Sequence, residues 1–339
     1  MGENRSRVLL ILTYLASLGC LVWTLRGANL GELKDDLATM NWWWLGFAVV
    51  ADISVYCWQA VRWRQVLRPV EQVSFRHAVS AIYIGLFANE VLPFRAGEIL
   101  RCYMVSRWTK LPFSVAISSA LIERIFDGIW LCLCLLVTIQ LVPAHHHMRW
   151  LVRSGYLLGT VVLSGAALLA LAVFLRQKTR ALLPGDGWQR HVRVLIDDLN
   201  LIGHSRYLYF AFLQSLPYLL LQVLPIYAAM QAYAFDQSTT FEPTLSIAFA
   251  LMVILRLGSV VPQAPGNLGL FQLMTKEVLQ RMFHVAPAEA ARFSLVLWGT
   301  VTLPLLVAGF VALMTSGSKL FELKRAAEDH ANEMSKNRS

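Results

Sequence analysis

Long apolar runs divided by short polar punctuation dominate the chain, and their lengths predict its elements. Val8 to Leu25 follows a short basic start. At ~1.5 Å of rise per residue it crosses a hydrocarbon core of ~30 Å as a first helix. No small-x-small cleavage pattern follows it, so it reads as a signal anchor with a cytoplasmic N-terminus. Gly31 to Met40 reads as a polar loop. Trp42, Trp43 and Trp44 then form an interfacial aromatic belt ahead of a second span reaching about Val61, with Asp52 near its middle. Arg62, Arg64 and Arg68 leave that span and mark the cytoplasmic side by the positive-inside rule.

Two apolar stretches are interrupted rather than continuous. Ala78 to Ala88 is too short to cross, is broken by LPFRAG, and is followed by a second short helical stretch, Glu98 to Trp108. Basic residues at both outer ends (Arg76; Arg107 and Lys110) predict a re-entrant hairpin entering from the cytoplasm, with Leu92 to Gly97 as its tip. Thr244 to Val261 and Leu268 to Gln280 are joined by PQAPGN, a breaker set too dense for a continuous helix. This predicts a second hairpin of opposite orientation. Irregular backbone at such depth is tolerated where protein or a wet cavity surrounds it.

The remaining runs complete the expected topology. Val115 to Leu141 and Leu151 to Leu175 read as spans joined by an outer loop, in which the adjacent His145, His146 and His147 lack the spacing of converging metal ligands. Residues 176–206 carry apolar positions at helical spacing (Trp188, Val192, Leu195, Leu199, Ile202). They predict a cytoplasmic helix lying on the inner leaflet or packed on the bundle. Tyr207 to Tyr233 spans outward with Pro217 and Pro225 inside it, where kinks are expected. Ala290 to Thr315 returns inward and delivers Lys319, Lys324 and Arg325 to the cytoplasm. The expected fold is an all-α polytopic membrane protein of about six spanning helices plus two oppositely oriented re-entrant helical hairpins. It forms one membrane domain, 1–315, and a charged, mobile cytoplasmic tail, 316–339.

Composition agrees with that class. The chain is 57% hydrophobic and 15% charged, with mean hydropathy +0.53, against about 25% charged for soluble domains. Its formal net charge of +9 sits at segment ends, which speaks for orientation and anionic lipid heads and excludes any need for nucleic acid. The five cysteines fall in or beside apolar segments without metal-ligand or disulfide-framework spacing.

Against this background Asn89 to Asp127 stands out. Arg95, Arg101, Arg107, Lys110 and Arg124 face Glu90, Glu98, Glu123 and Asp127, five positive charges against four negative. Charges at membrane depth face a protein interior or a cavity and mark function. Their near balance predicts a lattice that is largely self-neutralised, with Glu98 and Arg101 three apart on one helix face and Glu123 and Asp127 four apart on another. Arginines left over could hold a phosphate through their planar fork. Gly266, Asn267 and Gly269 open a later helix, whose free amides could accept an anion. Asp52 and Arg256, each lone in its span, and Arg62 are further candidates. Walker, dinucleotide, HExxH and GxSxG motifs are absent, which disfavours an ATP-driven pump, an ordinary hydrolase and a bound cofactor.

NEVLPFRAGEILRCYMVSR, ALIERIFDGIWL and VVPQAPGNLGLFQ together resemble the lysylphosphatidylglycerol synthase transmembrane-domain family. This flippase-like family includes the membrane half of the bacterial multiple peptide resistance factor. The resemblance runs from about Trp58, with Arg62 and Trp63 matching an early RW, to about Phe310. It implies that Asn89, Pro93, Arg95, Gly97, Glu98, Arg101, Glu123, Arg124 and Asp127, with Pro265, Gly266 and Gly269, are core positions. Two departures stand out: the usual PGGlG reads Pro265, Gly266, Asn267, Leu268, Gly269, with Asn267 in place of a glycine, and Gln272 stands where a glutamate is expected. The soluble aminoacyl-transferase half is not expected here.

The expectation is a translocase of the bacterial cytoplasmic membrane, moving an anionic phospholipid, a modified lipid or a polyprenyl-phosphate-linked glycan between leaflets. Arg95, Arg101 and Arg124 would bind the head-group phosphate, with Glu98, Glu123 and Asp127 holding them. The alternatives are a membrane-embedded transferase of lipid or glycolipid biosynthesis, or an accessory partner of such an enzyme.

Overall fold

The computed structural model describes residues 2–92, 96–141, 205–235, 241–259 and 265–316, with 160, 164 and 197. Pro93 to Arg95 within the expected tip Leu92 to Gly97, Pro262 to Ala264 of the second breaker, the three histidines, the expected span 151–175, nearly all of the expected interfacial segment 176–206 and the tail beyond 316 lie outside the described residues. Every regular element among the described residues is helical. In order these are α1 (Gly2–Leu25), a 3-10 turn (Leu30–Glu32), α2 (Leu33–Thr39), α3 (Trp42–Leu67), α4 (Phe75–Val91), α5 (Gly97–Trp108) and α6 (Phe113–Leu141). They continue with α7 (Arg206–Leu221), α8 (Val223–Ala232), α9 (Leu245–Gly258), α10 (Leu270–Phe283) and α11 (Pro287–Thr315).

Three segments have the length and apolarity to cross a membrane: α3, α7 with α8, and α11. Tyr14–Leu25 and α9 are shorter apolar helices. α6 is 29 residues long but carries Glu123, Arg124 and Asp127 in its first half. Starts are set by polar caps: Asn41 Oδ1 accepts from Trp43 N, Ser74 Oγ from His77 N, Ser205 Oγ from Tyr207 N and Thr244 Oγ1 from Ile247 N. The break between α7 and α8 falls at Gln222. Pro225, three residues on, has no N–H to offer the Leu221 carbonyl, so the ladder lapses where the sequence predicts a kink.

α3 is the hub, packing against α4, α6, α7, α8 and α11. Its first half (Ala48, Val55) joins an apolar cluster with α7 to α11, and its second half (Ala60, Trp63, Val66, Leu67) joins another with α4, α5 and α6. The helix runs six residues beyond the expected end at Val61, which carries Arg62 into the interior.

Small residues allow the closest approaches. α4 and α5 fold back on each other at Gly85 and Gly97, where a Cβ on Gly97 would enter the Gly85 carbonyl oxygen. Gly309 lets α11 lie on α4 beside Phe87 and the Tyr83 carbonyl, 2.6 Å from where its Cβ would stand. Gly269, at φ +93°, lets the start of α10 press on the Ser17 carbonyl of α1. Lys276 of α10, also buried, donates to the Thr24 carbonyl at 2.9 Å and so caps the end of α1.

The stretch Gly31 to Met40 departs from expectation: it is mostly helical rather than a loop. The reason is Arg292 near the start of α11, which reaches Glu32 at 2.7 Å, Asp36 at 2.6 Å and the Ala28 carbonyl at 3.2 Å. Tyr233 donates to the same Asp36 carboxylate at 2.5 Å.

Gly97→Ala should cost about 3 kcal/mol or more, because the clash is with backbone that cannot turn aside. Gly46→Ala, in α3 with open space around its Cβ position, should be neutral or stabilising. Unfolding of the two variants in detergent measures the difference; equal stability would contradict the close α4–α5 packing.

Candidate functional site: a closed charge ring beside a polar cavity

Three arginines and three carboxylates from α3, α5 and α6 alternate in a closed ring. Arg62 donates through Nε and Nη2 to Glu123 Oε1 at 3.1 and 3.0 Å, and through Nη1 to Asp127 and, at 3.0 Å, to Ser215 Oγ. Arg101 Nη2 lies 2.9 Å from both Glu123 Oε2 and Glu98 Oε2. Arg124 Nη2 completes the circuit at 3.6 Å from both Glu98 Oε1 and Asp127 Oδ2. The charges sum to zero. Aromatic faces cover two of the guanidinium groups: Tyr218 lies 4.5 Å from Arg62, and Trp63 lies 4.8 Å from Arg101.

Burial divides the members. Arg62 and Glu123 are fully buried and Arg101 nearly so, whereas the Arg124 side chain is 45% exposed and that of Glu98 36%. Both of these line a cavity of about 230 Å³. That volume falls below the ~300–1,000 Å³ usual for drug-sized ligands, so it has room for a small polar group. Asp52, Tyr56 and Gln59 line it from α3 at spacings of four and three, one continuous helix face, and Arg62 follows three residues later in the ring.

On the far wall stands Arg256, at the last turn of α9. It donates to Gln222 Oε1 and, at 3.4 Å, to Tyr218 Oη. Among the described residues no carboxylate pairs with it. Asp52 is buried yet makes no hydrogen bond or ion pair among the described residues, and Gln59 Oε1 is a buried acceptor without a donor. Among the described residues, the Arg256 guanidinium, the Asp52 carboxylate and Gln59 Oε1 thus face the cavity with capacity that the fold does not use up.

The candidates from the sequence distribute unevenly around this geometry. Glu98, Arg101, Glu123, Arg124 and Asp127 do form a cross-helix lattice, but Arg62, expected as a boundary charge, closes it. Arg101 lies inside the ring and does not line the cavity. Asn89 lines the cavity while its Oδ1 accepts from Gly97 N at 2.9 Å, capping α5. Arg95 lies outside the described residues.

Of Gly266, Asn267 and Gly269, Asn267 lines the cavity, donating to Glu90 Oε1 at 2.9 Å and thereby tying the α10 start to α4. The expected open amide at Gly269 is already taken: Gln272 Oε1 accepts from it at 2.7 Å. The Gly266 carbonyl accepts from Trp298 Nε1 at 2.7 Å. Tyr56, Gln59, Tyr218 and Gln222 were not singled out from the sequence. Their signal is weaker than charge: neutral polar side chains inside spans, recurring on one face.

Comparison with known proteins adds an independent line. Residues 9–309 match the family model described as the lysylphosphatidylglycerol synthase TM region. A UPF0104 membrane protein of Methanothermobacter thermautotrophicus is 24% identical over 174 residues, which is 51% of this chain and 48% of that protein. A second from the same organism is 21% identical over 262 residues, covering 70% of this chain and 75% of that protein. Glycosyltransferase AglD of Haloferax volcanii is 34% identical over 85 residues, but the match covers 24% of this chain and 13% of that protein.

Breaking a buried pair by removing one partner costs about 3–5 kcal/mol, because the other charge is stranded. Arg62→Met should destabilise the protein by that amount, and adding Asp127→Asn, which restores neutrality, should recover much of it. Denaturation in detergent of the single and double variants gives the comparison; a single variant as stable as the parent would contradict the ring.

Proposed function

The chain belongs to the lysylphosphatidylglycerol synthase transmembrane family, and on that premise we propose that it translocates a lipid with an anionic, hydroxyl-bearing head group between membrane leaflets. The observation that carries this reading is Arg256, a cavity-facing cation with no carboxylate partner among the described residues, next to a ring whose own charges cancel. Phosphate is the anion best matched to a guanidinium fork. Arg124, the loosest member of the ring, is placed to supply a second contact. Gln59 Oε1 takes a head-group hydroxyl, and the neighbouring neutral ring keeps the wall rigid without competing for the phosphate.

The acyl chains have their own path. An apolar groove of about 750 Å³ runs between α3 and α11, lined by Leu45, Val49, Ile53, Leu303 and Val307. Ile53 adjoins Asp52, so one turn of α3 serves head group and chain on adjacent faces. In this reading α4–α5 and α9–α10 are re-entrant hairpins of opposite orientation that meet through Glu90 and Asn267, and about six other helices span. Arg64 and Arg68 lie on the cytoplasmic side, as do both termini, in a bacterial cytoplasmic membrane.

A second reading, a part in glycosyl transfer to a lipid, is favoured by the local similarity to glycosyltransferase AglD. Product formation by the purified chain from a sugar donor and a lipid acceptor would support it over translocation.

In reconstituted vesicles, the chain should move acyl-labelled anionic lipids across the bilayer faster than protein-free vesicles do. A lost charge-assisted contact is worth about 1.5–3 kcal/mol, so Arg256→Gln should slow this roughly 10- to 100-fold. Arg281→Gln should change it less than about 2-fold, since Arg281 is 66% exposed and paired only with Glu277 on the surface of α10. Parental rates in Arg256→Gln would overturn the assignment of the phosphate to this residue.

A further inference from the structure

Asp52 is the charge the proposed site does not yet use, and its setting is unusual. It lies in α3, a segment long and apolar enough to span, and lines the cavity without a hydrogen bond or ion pair among the described residues. A carboxylate so placed is tolerable only if a cation compensates it or a proton neutralises it. The cation that lines the same cavity and pairs with no carboxylate among the described residues is Arg256. Of the other titratable groups around it, Tyr56 stands on its own helix, Tyr83 and Glu90 on α4, Glu98 on α5, Tyr218 on α7 and Arg124 on α6. Glu90 is committed to Asn267, Arg124 to Glu98 and Asp127, and tyrosines remain protonated near neutral pH. α8 and α11 face the cavity with Ile226 and Thr302, which do not titrate. Among the described residues, then, Asp52 makes no hydrogen bond or ion pair and Arg256 no ion pair, although both line the same cavity.

We propose that Asp52 takes up one proton when an anionic head group docks on Arg256, and releases it when the head group leaves, so that one proton travels with each lipid anion. This rests on the translocase reading and supplies its energy source. In the empty site the Asp52 carboxylate is balanced by Arg256. A docking phosphate takes over that guanidinium, and Asp52, stripped of compensation in a low-dielectric cavity, binds a proton from water at its carboxylate oxygen. The loaded site then holds Arg256 with the phosphate and Asp52 as the neutral acid. Asp52 and Arg256 together are neutral when empty, and neutral again with the phosphate and the proton aboard, so loading adds no net charge to be moved through the bilayer. For a head group of charge minus one, the cycle is electroneutral: a pH gradient drives it and a membrane potential does not.

The full chain, reconstituted in phosphatidylcholine vesicles with a trace of acyl-labelled phosphatidylglycerol, provides the test. An imposed pH gradient should draw the label toward the alkaline leaflet, with a limiting ratio that changes about tenfold per pH unit for one proton per lipid. A potassium diffusion potential should leave the ratio unchanged. Asp52→Glu should keep the response to pH, and Asp52→Asn should lose it. Translocation that follows the potential, ignores the gradient, or responds to pH equally in Asp52→Asn overturns the proton coupling while leaving the translocase standing. Absence of any translocation overturns the translocase instead. Infrared difference spectra of the detergent-purified chain then decide the proton directly. Short-chain phosphatidylglycerol should raise a protonated-carboxyl band that Asp52→Asn lacks, and no such band, or one that persists in Asp52→Asn, overturns the inference.

Discussion

Six charges cannot be held inside an apolar bundle unless each finds its opposite, and that constraint organises this protein. The ring Arg62–Glu123–Arg101–Glu98–Arg124–Asp127 meets it by alternation, with the one positive charge of α3 balancing the one net negative charge of α6 and α5 contributing one of each sign. Desolvation of such charges is expensive, and mutual attraction offsets it only when the geometry is good. The ring therefore contributes little net stability relative to an apolar core of the same shape. What it imposes is register, since sliding one of the three helices by a turn would strand several charges together. Gly85 and Gly97 complete the constraint by letting α5 approach α4 closely, with Asn89 capping the α5 start.

A rigid neutral wall changes what the neighbouring cavity can do. Arg101 and Arg62 are charge-balanced within the ring and do not line the cavity, so in the proposed function the anion falls to Arg256 across the cavity, with Arg124 at the ring's loosest edge. Gln222 and Tyr218 orient Arg256 without neutralising it, and Gln222 sits at the break between α7 and α8, where the helix is already interrupted. The hairpins meet at Glu90 and Asn267, so movement of either is coupled to the shape of the cavity.

Much of this was legible in the sequence. Apolar run lengths and breakers locate α3, the α4–α5 and α9–α10 pairs and α11, and the near balance of acids and bases between Asn89 and Asp127 announces a neutral lattice. The closure of that lattice was not legible. An arginine at the end of an apolar run gives the same signal whether it meets water or turns inward, and only the continuation of α3 to Leu67 distinguishes the two for Arg62. The helix starting at Leu270 likewise promises free amides, but whether Gly269 N is available depends on the side chain of Gln272. Polar neutral residues such as Gln59 and Tyr218 carry no charge imbalance to reveal them, and the helix at Leu33–Thr39 owes its place to Arg292, more than 250 residues away.

The central claim is that the ring is scaffold and Arg256 is the anion site. Electron cryo-microscopy of the protein in nanodiscs containing phosphatidylglycerol tests it most directly. The account predicts a lipid phosphate against the Arg256 guanidinium, within reach of Arg124, with Arg101 still bridging Glu98 and Glu123. A phosphate seated on Arg101 with those carboxylates displaced, or a cavity with no phosphate beside Arg256, would contradict it.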